Sequence, residues 1–183
     1  MTVKSLTRLY FGGEYCLPVP EDYSGNGSCD VAVFKPEVGA WQVRGLTQVY
    51  FGTWGDLPVP GDYNGSGKTD IAVFREASGL WAVRGISRSY YGAIGDRPVP
   101  AVYSWDGSFH CRPAVYRPSS GMWAVKGVSR FYFGNASDSP VPANFTSKLP
   151  VESAIFRPSS GLWAVRGVTR VYYGALGDLP ATR

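Results

Sequence analysis

The sequence predicts an all-β repeat protein. Three observations lead there: a block of about 40 residues recurs four times, each block holds four strand-like runs, and glycine and proline punctuate the runs. The tryptophans mark the block most clearly. The strings KPEVGAW, REASGLW, RPSSGMW and RPSSGLW place Trp41, Trp81, Trp123 and Trp163 at spacings of 40, 42 and 40 residues. Three further sets of strings keep the same phase: RLYFG, QVYFG, RSYYG, RFYFG and RVYYG; LPVP, LPVP, RPVP and SPVP; DVAVFK, DIAVFR, RPAVYR and ESAIFR. Nearly the whole chain, from Val3 to Pro180, belongs to this pattern. It reads as one domain with units near 12–52, 53–92, 93–134 and 135–174.

The second unit shows how each element is read. LPVPGDY (57–63) is a first strand, followed by the Gly-rich loop NGSGKT. DIAVFR (70–75) is a second strand, EASG a turn, LWAVRG (80–85) a third strand and SRSYYG (87–92) a fourth. β-branched and aromatic residues fill these runs, and turn residues bound them. No segment sustains a 3.6-residue period, so no helix is expected. In the second strand Ala72 and Phe74 alternate with Ile71 and Val73. Both faces are therefore apolar, which suits a strand stacked between two neighbouring sheets. Four antiparallel strands in some 40 residues is the size of one β-propeller blade. A β-helix repeats in shorter units, and a horseshoe repeat needs a helix or an asparagine ladder; neither is visible.

The expected fold is thus a β-propeller of four blades, with an extra outer strand near residues 3–11. The ends are out of phase with the blades, so three arrangements stay open. They are a four-bladed monomer, a part of a longer ring, and a homo-oligomeric ring joined through unpaired terminal strands.

Composition narrows the function classes. The chain of 183 residues is 44% hydrophobic and 15% aromatic, with 23 glycines and 14 prolines. No run approaches 18 apolar residues, so no membrane insertion is expected. The first residues, MTVKSLTRLYFGGEY, lack the apolar core of a signal peptide: either the protein stays inside the cell or its leader lies upstream. A net charge of +4 is too small to argue for nucleic acid. Three cysteines (Cys16, Cys29 and Cys111) do not make a disulfide framework. They are read as small, mostly buried thiols, with a Cys16–Cys29 pairing as the alternative.

The loop between the first two strands carries the clearest chemical pattern. From Asp62 to Asp70 it reads DYNGSGKTD, with side-chain oxygens at positions 1, 3, 5 and 9: Asp62, Asn64, Ser66 and Asp70. Hard-cation loops use this alternation because alternate side chains of a tight Gly-rich turn converge on one point. The first unit places Asp22, Ser24, Asn26 and Asp30 in the same frame. Two carboxylates per loop imply low-affinity Ca²⁺ in the first and second units alone. The competing expectation is a Gly/Asn turn that caps its own backbone.

The string GDYNGSGKTDIAVF resembles the FG-GAP or VCBS repeat of integrin-α-like propellers. That motif runs Asp-x-Asp-x-Asp-Gly-x-x-Asp into an apolar strand, and Phe51-Gly52 and Phe133-Gly134 match the Phe-Gly that closes the unit. The resemblance covers the chain at repeat level. It implies a propeller, calcium in the inter-strand loops and extracellular or cell-surface adhesion or ligand binding. By matching position it gives the metal role to Asp62, Asn64, Ser66 and Asp70. The third loop, YSWDGSFHCR, is two residues longer with Asp106 its one acid, and the fourth, NFTSKLPVES, has no aspartate. No metal is expected in either.

Charge also repeats. Asp56, Asp96, Asp138 and Asp178 recur between units, and Lys35, Arg75, Arg117 and Arg157 end the second strands; an inter-blade Asp–Arg pair in each unit is expected. Arg84, Arg88, Arg166 and Arg170 belong to the opposite rim, either as a solvated edge that deters strand pairing or as a site for anionic groups. The four periodic tryptophans are expected in the core. Trp54 and Trp105 do not repeat and lie in loops, where an aromatic ring serves to stack on a sugar or a partner. Catalysis has little support: the one histidine, His110, adjoins Cys111 in sequence, which does not orient a nucleophile and its base. The four asparagines all stand in N-x-S/T frames, which Gly/Ser-rich turns produce without glycosylation. The expected function is a non-catalytic scaffold, most simply a multivalent glycan-binding or adhesion module. A protein-interaction platform and a self-assembling fragment without a small ligand are the alternatives.

Overall fold

A computed structural model describes residues 9–104 and 109–180. It is all-β, in the arrangement of a four-bladed β-propeller. Each blade is a four-stranded antiparallel meander. Blade 1 holds β1 (Leu17–Pro18), β2 (Ala32–Lys35), β3 (Ala40–Val43) and β4 (Thr47–Tyr50). Blade 2 holds β5 (Leu57–Pro58), β6 (Ala72–Arg75), β7 (Leu80–Val83) and β8 (Ser87–Tyr90). Blade 3 holds β9 (Arg97–Pro98), β10 (Ala114–Arg117), β11 (Met122–Val125) and β12 (Ser129–Tyr132). Blade 4 holds β13 (Ser139–Pro140), β14 (Ala154–Arg157), β15 (Leu162–Val165) and β16 (Thr169–Tyr172). No helix among the described residues is long and apolar enough to cross a membrane.

The first strand of each blade is shorter than the sequence implies. Of residues 57–63 only Leu57 and Pro58 pair regularly with β6, because Pro58 and Pro60 bring no N–H to the ladder. The segment is extended by a Val59 N–H bond to the Ala72 carbonyl and a bridge between Gly61 and Asp70. The leading strand expected at 3–11 falls mostly outside the described residues, and its described part, 9–11, is in no strand.

The register explains why both faces of the inner strands are apolar. Phe34 faces Trp41 across β2 and β3, and the same pairing recurs as Phe74–Trp81, Tyr116–Trp123 and Phe156–Trp163. This aromatic side is the blade's trailing face. Val33, Val73, Val115 and Ile155 point the opposite way, to the leading face. Each trailing face packs on the next leading face: Phe34 and Trp41 with Val73 and Ala82, Phe74 and Trp81 with Val115 and Ala124, Tyr116 and Trp123 with Ile155 and Ala164. The expected core role of the tryptophans holds for Trp41, Trp81 and Trp123, which are at most 1% exposed. Each indole N–H donates to the backbone at the end of its own outer strand, at 2.9 Å to the carbonyls of Phe51, Tyr91 and Phe133. In blade 4, Phe156, Ala154, Val141 and Val165 cluster with Trp163, which is half-buried.

The chain between blades forms the hairpin rim, shared with the β2–β3 turns. Here glycine is required by space: Gly79 sits at φ +66°, and a Cβ on it would lie 2.7 Å from the Gly92 carbonyl oxygen. The Asp–Arg pairs expected on this rim form in three units, each tying the connecting loop to the second strand of the blade it leads into, within one repeat unit rather than between blades. Arg75 donates from Nε and Nη2 to Asp56 at 2.7 and 2.9 Å, and Arg117–Asp96 and Arg157–Asp138 repeat both distances. The three carboxylates are at most 2% exposed, and each also accepts a loop N–H, from Thr53, Ala93 or Asn135. Unit 1 departs from the pattern because Cys16 stands in the aspartate's place, so Lys35 turns to Glu37 at 3.5 Å. All three cysteines are free; Cys16 is half-buried, Cys29 exposed and Cys111 buried, so the expectation of mostly buried thiols holds for Cys111 alone.

Candidate functional site: the grooves between blades

The opposite rim carries the β1–β2 loops and the β3–β4 turns. Among the described residues a backbone bond ties adjacent loops there at each interface. Thr69 N–H donates to the Asp22 carbonyl at 2.8 Å, Cys111 N–H to Asp62 at 2.6 Å and Val151 N–H to Val102 at 2.9 Å. A tyrosine braces each loop base: the Tyr23, Tyr63 and Tyr103 hydroxyls donate to the carbonyls of Val19, Val59 and Val99 at 2.7–2.8 Å.

Beneath these loops two grooves open between blades. One, of about 440 Å³, lies between blades 3 and 4 and is lined by Tyr103, Ser129, Phe131, Lys148, Glu152 and Arg166 among others. The other, of about 180 Å³, lies between blades 1 and 2 and is lined by Tyr23, Thr47, Thr69, Asp70, Ile71 and Arg84 among others. They are repeats of one place. Tyr23 corresponds to Tyr103, Thr47 to Ser129, Asp70 to Glu152 and Arg84 to Arg166. Each groove therefore offers a phenol edge, a hydroxyl, a carboxylate and a guanidinium around a small concavity.

The larger groove is the better organised. The Arg166 guanidinium lies 4.2 Å from the centroid of the Phe131 ring, which is itself stacked parallel to Trp123. Glu152 accepts from the Thr146 hydroxyl and the Phe145 N–H. The Thr146 hydrogen bond is the main influence holding the Glu152 carboxyl below its ordinary range. Asp70, its counterpart, is pushed upward by burial, against the Tyr63 N–H that donates to it at 2.9 Å.

In the two loops with the cation-like frame, the first aspartate folds the loop around itself. Asp62 accepts from Gly65, Ser66 and Gly67 N–H at 2.7, 3.0 and 2.7 Å. Asp22 accepts from Gly25, Asn26 and Gly27 at 2.6, 3.1 and 2.7 Å. Desolvation raises the Asp22 carboxyl, and these backbone bonds outweigh it, leaving the group below its ordinary range. Asn64 Oδ1 accepts from Ser66 N–H, and its amide reaches Asp70 at 3.4 Å; Asp30 accepts from Ser24 N–H at 2.9 Å. In chemistry the donors fit a hard cation. Asp62 Oδ2 accepts one of these bonds and retains a lone pair, and Asp70, Asn64 and Ser66 add carboxylate, amide and hydroxyl oxygens. Among the described residues no three His, Cys, Asp or Glu side chains gather as an ion-holding group.

The other expected site residues are dispersed. Arg84 and Arg166 line the two grooves, whereas Arg88 and Arg170 are exposed on outer strands and are not among the lining residues. Trp54 is 75% exposed on the hairpin rim, opposite the grooves, and Trp105 lies outside the described residues. His110 packs near Gly65, and burial pushes the adjacent Cys111 thiol up to about 12, which leaves little thiolate for nucleophilic attack. The groove residues Tyr103, Ser129, Phe131 and Glu152 were not singled out by sequence. Their signal was present in the in-register tyrosines and in the Glu152 that stands in the frame of Asp70.

The chain matches no family model, no curated protein and no solved structure. The propeller itself fits the broad class of interaction scaffolds, in which repeated blades present loops and grooves from a rigid core.

Proposed function

We propose that this protein is a non-catalytic, multivalent carbohydrate-binding scaffold whose ligand sites are the grooves between blades. The observation that carries this reading is the recurrence of one polar and aromatic groove at two interfaces, with the same tyrosine, hydroxyl, carboxylate and guanidinium. Hydroxyl-rich ligands suit such a set, because the carboxylate and guanidinium take complementary ends of a diol and a ring edge supplies apolar contact. Two equivalent weak sites gain strength together on a repeating glycan. Calcium in the Asp22 and Asp62 loops would stiffen the wall of the smaller groove, where Asp70 belongs to both. The resemblance to integrin-like propellers supports an extracellular or cell-surface setting.

A glycan-array screen with and without calcium tests the proposal. One sugar class should bind, Arg166→Ala should weaken binding at least tenfold, and Trp54→Ala should leave it unchanged. A blank array rejects the glycan reading. A loss confined to Trp54→Ala instead moves the glycan site from the grooves to the hairpin rim, where that exposed ring is the natural stacking surface. If calcium has no effect on glycan binding or on melting temperature, the metal is rejected while the grooves remain.

A further inference from the structure

Among the described residues three blade interfaces are filled, and the trailing face of blade 4 presents the same surface without a blade against it. Tyr173 is 80% exposed, whereas its counterparts Phe51, Tyr91 and Phe133 are half-buried. Val171 is 47% exposed, and Val49 and Phe131 at the same position are half-buried. Phe145, in the place of the braced Tyr103, is 41% exposed. Asp178 is exposed, although its loop has the shape of the three pairing loops: its carboxylate accepts the Ala175 N–H at 2.7 Å, as Asp96 accepts Ala93. An apolar face and a preshaped acidic loop thus stand ready for a valine-bearing leading face and a cation at the position of Arg75.

Blade 1 carries both. Its leading face carries Val33, equivalent to Val73 and 8% exposed beneath residues 9–16, and Lys35 occupies the arginine's position with the exposed Glu37 as its partner. Val31 on the same blade is 43% exposed. Residues 9–16 share the phase of 171–178 and lie where a preceding blade's chain would lie. A Cβ on Gly12 would meet Val33 at 3.1 Å, as one on Gly52 would meet Val73 and one on Gly92 would meet Val115. Among the described residues a Cβ on Gly174 would meet Asp178 alone. We propose that the trailing face of blade 4 docks on the leading face of blade 1 of a second copy of this chain. Residues 171–178 displace residues 9–16 of that copy, and Asp178 pairs with its Lys35. This inference does not depend on the glycan reading. Such a head-to-tail contact is heterologous and closes when the rotations sum to a full turn. Two copies would give eight blades, at the upper end of the roughly four to eight usual for propellers.

Sedimentation of the full chain over a concentration series tests this. A mass at twice the 19.9 kDa of one chain, or a higher multiple, is expected. Tyr173→Asp, at an exposed position, should return the protein to one chain with its near-ultraviolet dichroism unchanged. Lys35→Asp and Asp178→Lys should each weaken association by about tenfold or more, and together restore it. A wild-type protein that stays at one chain throughout the series overturns the proposal. So does an oligomer indifferent to Lys35→Asp, which would place two trailing faces against each other.

Discussion

Asp96 and Asp178 occupy the same loop two repeats apart, and their surroundings differ completely. Both fold the loop by accepting an N–H three residues upstream. Asp96 is then buried beneath a bidentate Arg117, whereas Asp178 faces solvent. The same contrast separates Trp123, fully covered by blade 4, from Trp163, whose indole bond to the Tyr173 carbonyl is longer, at 3.2 Å. Loop shape is thus a property of the local sequence, and burial is supplied by the following blade. A blade in this protein is half of a stability unit, and the interface is the other half.

That comparison is sharpened first at the tryptophans. Trp123→Ala should cost about 3–5 kcal/mol, the range for a fully buried large aromatic. Trp163→Ala should cost about half as much in the isolated chain, read by urea denaturation. Equal losses would mean that the blade 4 face is covered in solution. Asp96→Ala comes next. It removes a loop cap and strands Arg117, but Arg117 is 37% exposed, so the loss should be about 2 kcal/mol rather than that of a sealed ion pair. Asp178→Ala should change stability by less than about 1 kcal/mol, since no buried charge is left behind; the two midpoints at fixed protein concentration decide it.

The smallest effect belongs to the fourth loop. Glu152 is held below its ordinary carboxyl range, so its contribution is complete at neutral pH and is lost as pH falls through its folded-state value. Hydrogen exchange of the Phe145 amide, which Glu152 accepts, should quicken relative to that of blade 2 on acidification. Glu152→Gln should remove most of that pH dependence. An unchanged profile would show that Thr146 and Phe145 do not depend on the charged form.

Much of this was legible in the sequence because the repeat states each residue's environment four times. The meanders, the alternating apolar faces of Ala72–Arg75 and the Asp56–Arg75 type of pair all follow from phase alone. What phase does not show is the volume left between blades. The grooves arise where two loops lean together through the Thr69–Asp22 and Val151–Val102 bonds, and a backbone bond between units leaves no mark on composition. Nor did the loop aspartates announce their engagement with their own amides. The DYNGSGKTD spacing reads equally as a cation frame and as a self-capped turn, and Asp62 adopts the cap geometry while keeping oxygens to spare.

Among the described residues the core clusters join each blade to the next in sequence, through faces that differ little from one interface to the next. Contacts therefore span about one repeat in sequence, and order can start in any adjacent pair and spread. The same arrangement governs how such a gene can change. Removing or duplicating a whole unit such as 53–92 brings together faces already suited to each other, so blade number can vary by recombination without a new core having to arise.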